Sequence, residues 1–244
     1  MIKAFANRFL ETARDGIAIW WLAPIIPALV VIPEFAQHVA EIQLGMFASE
    51  EQAKLASESS TRMTFGYMKI AGLVLAFLAT IRFWGARSFG HKWWDLRTVV
   101  WVPLLIAIVL IVATSFPGTL AEPYIGAEQA GYIDIAFALA TLPLFTMLVR
   151  ALAGDQNTGL KHAFRTGWFA SIRMVLFAAI FWVPLQWLHG ELHTWAIGAS
   201  VSLVWIMMII DSLVVGLLAT YAGTAFHHGS KLLSEPVGSV AQSA

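Results

Sequence analysis

With 59% hydrophobic and 12% charged residues among its 244, the chain carries about half the charge of a typical soluble domain, where ~25% is usual. The formal net charge is zero and the mean hydropathy is +0.73. That leaves too little polar surface for a water-exposed globule and no overall charge to attract nucleic acid. The absence of cysteine excludes disulfides, thiolate metal ligands and a cysteine nucleophile.

Residues 1–15 have the spacing of an amphipathic helix lying at the cytoplasmic interface. Ile2, Phe5, Ala6, Phe9 and Ala13 fall on one side, and Lys3, Arg8, Glu11, Arg14 and Asp15 on the other. The apolar stretch that follows is too long for a cleaved signal segment and is expected to stay as an anchor. About 20 apolar residues cross a bilayer as a helix. Stretches 16–37, 64–84, 98–116, 132–149, 167–188 and 195–221 meet that need. The expected fold is therefore all-α and polytopic, with six transmembrane helices forming a bundle over 16–223.

Pro24, Pro27 and Pro33 predict a kink in the first span, because each removes a backbone donor. Pro103, Pro143 and Pro184 predict milder bends. Within 45–62, the segment EEQAKLASESS could form a short exposed helix. Residues 189–194 read as a tight turn, with Gly190 breaking the helix, and 224–244 read as a flexible polar tail.

Charge in the loops predicts orientation. Lys3, Arg8, Arg14, Arg82, Arg87, Lys92, Arg97, Arg150, Lys161, Arg165, Arg173 and Lys231 fall on one side, and Lys54, Arg62 and Lys69 on the other. The positive-inside rule makes the first side cytoplasmic, with both termini inside. The expected location is a bacterial inner membrane. In the loop 85–97, Arg87, Lys92, Trp93, Trp94 and Arg97 combine basic and aromatic groups suited to anionic lipid headgroups.

An ionisable residue within a span is costly and draws attention to itself. Asp211 and Arg173 come out at similar depth in the last two spans, which predicts an ion pair between them. Lys69 could pair with Glu34 or extend its stem to the interface. His189 and His193 are four residues apart, as are Glu34 and His38. Together His38, His189 and His193 with a carboxylate could hold zinc or another divalent ion. Gly72 and Ala76, Gly198 and Ser202, and Gly216 and Thr220 have the small-residue spacing of close helix contacts.

No nucleotide-binding loop, dinucleotide fingerprint, GxSxG or HExxH occurs. The leading expectation is a non-enzymatic accessory, assembly or scaffold component that partners the lipid bilayer and another membrane protein or a second copy. No cofactor is expected on that reading. A small transporter or channel using Asp211, Arg173 and Lys69 is the second expectation. A metal-dependent membrane enzyme built on the histidines is the third.

Overall fold

The computed structural model describes residues 2–231, and every regular element among them is helical. The helices run α1 Ile2–Leu22, α2 Ile25–Gln43, α3 Glu50–Ser57, α4 Ser60–Ser88, α5 Trp101–Ala113, α6 Pro117–Ile125, α7 Ala127–Thr141, α8 Pro143–Ala153, α9 Leu160–Thr166, α10 Trp168–Ala196 and α11 Val201–Ser230. Five stretches are long and apolar enough to cross a membrane: Ile25–Gln43, Ser60–Ser88, Trp101–Ile125, Trp168–Ala196 and Val201–Ser230. A sixth arises if α7 and α8, bent by 47° at their junction, count as one span. The described residues are thus all-helical, with five to six stretches of the length and apolarity of a multi-pass membrane protein.

The N-terminal region departs from expectation. α1 continues through residue 15 to Leu22, and the chain breaks at Ala23 and Pro24. The first qualifying span is accordingly α2, not 16–37. Nor does α1 keep its charged face in water: Arg8, Glu11 and Asp15 are buried, while Lys3 and Arg14 are exposed. Pro33 lies inside α2, and Pro143 opens α8, where the missing donor costs nothing in the first turn.

Two compact units emerge. One comprises Leu10–Thr80 and Phe177–Ala225; the other comprises Ile81–Leu176 with the described residues before 10 and after 225. In the first unit, α2 and the N-terminal half of α4 meet closely at Gly72. A Cβ there would collide with the Leu29 backbone carbonyl oxygen and sit 3.2 Å from the Val30 Cα, so the approach needs glycine. Ser49 caps the short exposed α3 by accepting from the Gln52 amide at 3.2 Å. The turn between α10 and α11 places Gly198 at φ +74°, and its amide donates to the Phe47 carbonyl at 2.8 Å. Gly198 therefore serves a turn, not a helix-packing face.

α10 runs unbroken through Gly190, so no turn exists at 189–194. The helix hydrogen bonds formed within the bilayer region outweigh the roughly 1 kcal/mol propensity cost of one glycine. Likewise α11 extends to Ser230, with Ala225, Phe226, His227 and His228 buried. The flexible tail cannot begin at 224; its remainder, 232–244, lies outside the described residues.

In the second unit α5 packs on α8, α6 on α7, and α8 on α9. The Gly118 amide of α6 donates to Asp134 of α7 at 2.7 Å. Arg82 organises the loop after α4. It donates to the carbonyls of Leu152 at 2.7 Å, Asp95 at 2.9 Å and Trp93 at 3.2 Å, and also contacts the Thr98 hydroxyl.

Candidate metal centre

The site grows from one face of α2. Glu34, Gln37, His38 and Glu41 are three or four residues apart, which stacks them along one side of a helix. All four are buried. A polar stripe of this kind in an apolar helix needs partners, since isolated charges in hydrocarbon are costly. α4 supplies two: Lys69 Nζ lies 3.2 Å from Glu34 Oε1, and Arg62 Nε donates to Glu41 Oε1 at 2.9 Å. Gln37 Nε2 also donates to Glu41 Oε1, at 2.7 Å.

α10 and α11 complete the cluster. The unbroken α10 turns His189 and His193 to the same side, and α11 brings Asp211 against them. Asp211 is fully buried; its Oδ1 lies 2.8 Å from His189 Nδ1, and its Oδ2 lies 3.3 Å from His193 Nε2 and 2.9 Å from His38 Nε2. The imidazole rings of His38 and His193 are 5.2 Å apart, as are those of His189 and His193. Phe47 stands 5.9 Å from His193 and belongs to an apolar cluster with Leu192, Ala196, Val204, Met207 and Met208. That apolar packing holds the histidine-bearing end of α10 against α11.

The orientation of His38 is informative. Its Nδ1–H donates to Glu41 Oε2 at 2.9 Å, so in the neutral ring the lone pair resides on Nε2. That nitrogen is buried 2.9 Å from Asp211 Oδ2 and 3.3 Å from Glu34 Oε1, within hydrogen-bonding distance of the Asp211 carboxylate. Glu34 Oε2 is buried without a hydrogen bond. A lone pair and two carboxylates facing one point repel one another unless something positive stands between them. Protons on the imidazoles or a cation would serve.

The donor set fits a cation. One ligand atom each from Glu34, His189, His193 and Asp211 lies within 4.8 Å of the others, and a second such group joins His38, Glu41 and His193. First-row ions bind nitrogen and carboxylate oxygen at about 2.0–2.2 Å, placing adjacent donors about 3–3.5 Å apart. The carboxylate–imidazole pair Glu41–His38 has the arrangement that orients metal-binding histidines from behind. The cluster holds three carboxylates and two cations: Lys69 pairs with Glu34 and Arg62 with Glu41, while Asp211 meets only histidines. With neutral imidazoles this leaves one net negative charge for a cation to balance. The His189 and His193 side chains are 17% and 21% exposed, whereas His38 is fully buried.

Among the residues singled out from sequence, His38, His189, His193, Glu34, Lys69 and Asp211 converge here. Arg173 does not. It donates to the carbonyls of Gly229 at 3.1 Å and Lys231 at 2.9 Å, so the expected Arg173–Asp211 pair is replaced by backbone contacts for one and histidines for the other. The reason lies in span boundaries. α11 begins at Val201 and not at 195, which moves Asp211 about 9 Å toward the α10–α11 turn. Gln37 and the partnership of Glu41 with His38 were missed, although the spacing of EFAQHVAE puts all of these on one helix face; Arg62, on α4, carried no such signal.

The loop residues make contacts of their own. Arg87 lies over Phe83 at 5.1 Å, Lys92 over Trp94 at 5.8 Å, and Trp93 meets Trp94 edge-on. Arg97 donates to Asp95 at 2.8 Å, holding that carboxyl down at about 2, below its ordinary range. No family model, no curated protein and no solved structure matches the chain.

Proposed function

We propose that this chain is a multi-pass membrane metalloprotein. Its centre, formed by His38, His189, His193, Asp211 and Glu34, binds one divalent first-row ion, with zinc favoured by the mix of imidazole and carboxylate. The observation that carries the reading is the buried convergence of imidazole nitrogens and carboxylate oxygens, with His38 Nε2, oriented by Glu41, 2.9 Å from Asp211 and 3.3 Å from Glu34. The chemistry such a centre offers is activation of a bound water, with Lys69 the adjacent cation. In the orientation given by loop charge, both termini face the cytoplasm of a bacterial inner membrane and the centre lies near the outer surface.

A second reading is ion or proton movement. It is favoured by the continuous chain of ionisable contacts Lys69–Glu34–His38–Glu41–Arg62. An accessory or scaffold role would use the same ion structurally, joining three helices.

The test is elemental analysis of the full-length protein purified without chelator, followed by titration of the stripped protein with Zn²⁺, Co²⁺ and Mn²⁺. One equivalent of metal, lost in both Asp211→Asn and His193→Ala, supports the centre. Failure of the wild-type chain to bind any of the three ions sinks it, and proton flux abolished by Asp211→Asn would then promote the second reading.

A further inference from the structure

A separate cavity of about 660 Å³ lies wholly within the unit containing Ile81–Leu176, bounded by the end of α4, α8, α9 and the end of α11. Its lining divides by chemistry. Val149, Ala153 and Phe89 form an apolar wall, while Arg150, His162 and Lys231 bring basic groups and Ser88 and Thr166 bring hydroxyls. Asp155 is the one acidic residue of the lining.

The disposition of Arg150 gives the cavity its character. Its Nε donates to Asp155 Oδ2 at 2.8 Å, a second nitrogen lies 2.5 Å from the same oxygen, and a third contacts His162 Nε2. Because an arginine donates there, His162 Nε2 acts as the acceptor. Three of the five guanidinium N–H groups are thereby engaged, and the fork is clamped from two sides. Two donors remain. Arg150 and Lys231 are the two full-time cations of the lining, against the single carboxylate of Asp155.

A pre-aimed guanidinium fork, an ammonium group and hydroxyls beside an apolar wall match a tetrahedral oxyanion attached to an apolar group. We propose that this cavity binds a phosphate group, carried by an anionic phospholipid headgroup or by a soluble phosphate ester. Arg150 supplies the bidentate contact and Lys231 the second charge. Phe89 and Ala153 accommodate the apolar portion. This site is independent of the metal centre, and neither proposal depends on the other.

The test uses the full-length chain, delipidated in a neutral detergent, with thermal stability as readout. One arm adds phosphatidic acid to the micelles, with diacylglycerol as the uncharged control. The other adds inorganic phosphate, with chloride at equal ionic strength. Wild type, Arg150→Gln, Lys231→Gln and Arg165→Gln are compared; Arg165 lies outside this cavity lining and reports nonspecific charge.

The expected result is a rise in melting temperature with phosphatidic acid. Its midpoint concentration should increase roughly tenfold in Arg150→Gln, the loss of one charge-assisted contact, and also increase in Lys231→Gln. Arg165→Gln should behave as wild type. The same pattern with inorganic phosphate alone identifies the soluble source; a pattern confined to phosphatidic acid identifies the lipid. Lys231→Gln keeps the proposal testable if Arg150→Gln does not fold. No stabilisation in either arm, or an equal loss in Arg165→Gln, overturns it.

Discussion

Glu41 holds His38 from behind in the proposed metal centre, which makes it a sharp probe of the arrangement. Its Oε2 accepts from His38 Nδ1 at 2.9 Å, while Oε1 takes Arg62 at 2.9 Å and Gln37 at 2.7 Å. Glu41→Gln keeps an acceptor for the imidazole but removes the negative charge that makes Nε2 a stronger donor to a metal. Glu41→Ala removes the acceptor as well and frees the ring to turn. Losing such a supporting carboxylate typically weakens metal affinity tenfold to a hundredfold, or about 1.4–2.7 kcal/mol. Glu41→Gln is expected near roughly tenfold and Glu41→Ala near roughly a hundredfold on that scale. Competition with a chromophoric chelator in detergent measures both, and Arg62→Gln separates loss of the carboxylate's other partner from loss of its charge. Wild-type affinity in Glu41→Ala would refute the claim that Glu41 orients His38 as a ligand.

Three further substitutions test the framework. Gly72→Leu forces side-chain atoms into the α2–α4 contact, where a Cβ already meets Val30 Cα at 3.2 Å. It should lower stability by about 1–3 kcal/mol, seen as a lower melting temperature, and loosen the Lys69–Glu34 pair. Gly190→Ala has open space for its methyl and lies in a continuous helix. A gain of about 0.5–1 kcal/mol is expected by thermal melting, and a clear loss would show that the helix needs glycine there. Arg82→Lys cannot reproduce the planar fork that serves Leu152, Trp93 and Asp95 together. It should cost about 3 kcal/mol, and faster proteolysis within the 89–100 loop would report it.

The membrane class of this protein was readable because it depends on summed hydropathy, a property that survives small errors in every boundary. The spacing of Glu34, His38, His189 and His193 was equally legible, since three- and four-residue offsets on a helix face need no tertiary information. What escaped was tertiary. Asp211 and Arg173 were paired by counting depth from span limits that the α10–α11 turn shifts. Gly190 was read as a helix end by local propensity, which a long apolar helix overrides. The buried charges of α1 ran against the simple rule that polar faces meet water. Arg82 looked like one more cytoplasmic cation, and only the folded loop reveals the carbonyls it gathers.

The stripe of ionisable residues on α2 also bears on how the chain enters a bilayer. Synthesised alone, α2 brings Glu34, His38 and Glu41 to the membrane with nothing to neutralise them. A charged residue at the middle of an isolated helix raises the cost of insertion by about 2.5–3.5 kcal/mol. Relief comes with α4, whose Lys69 and Arg62 meet two of these side chains. The smallest segment that enters hydrocarbon with its carboxylates paired is therefore the α2–α4 hairpin, not the single helix. Asp211 reaches His38 only after α11 has been made, so the cluster closes after translation of the four participating helices and not during it.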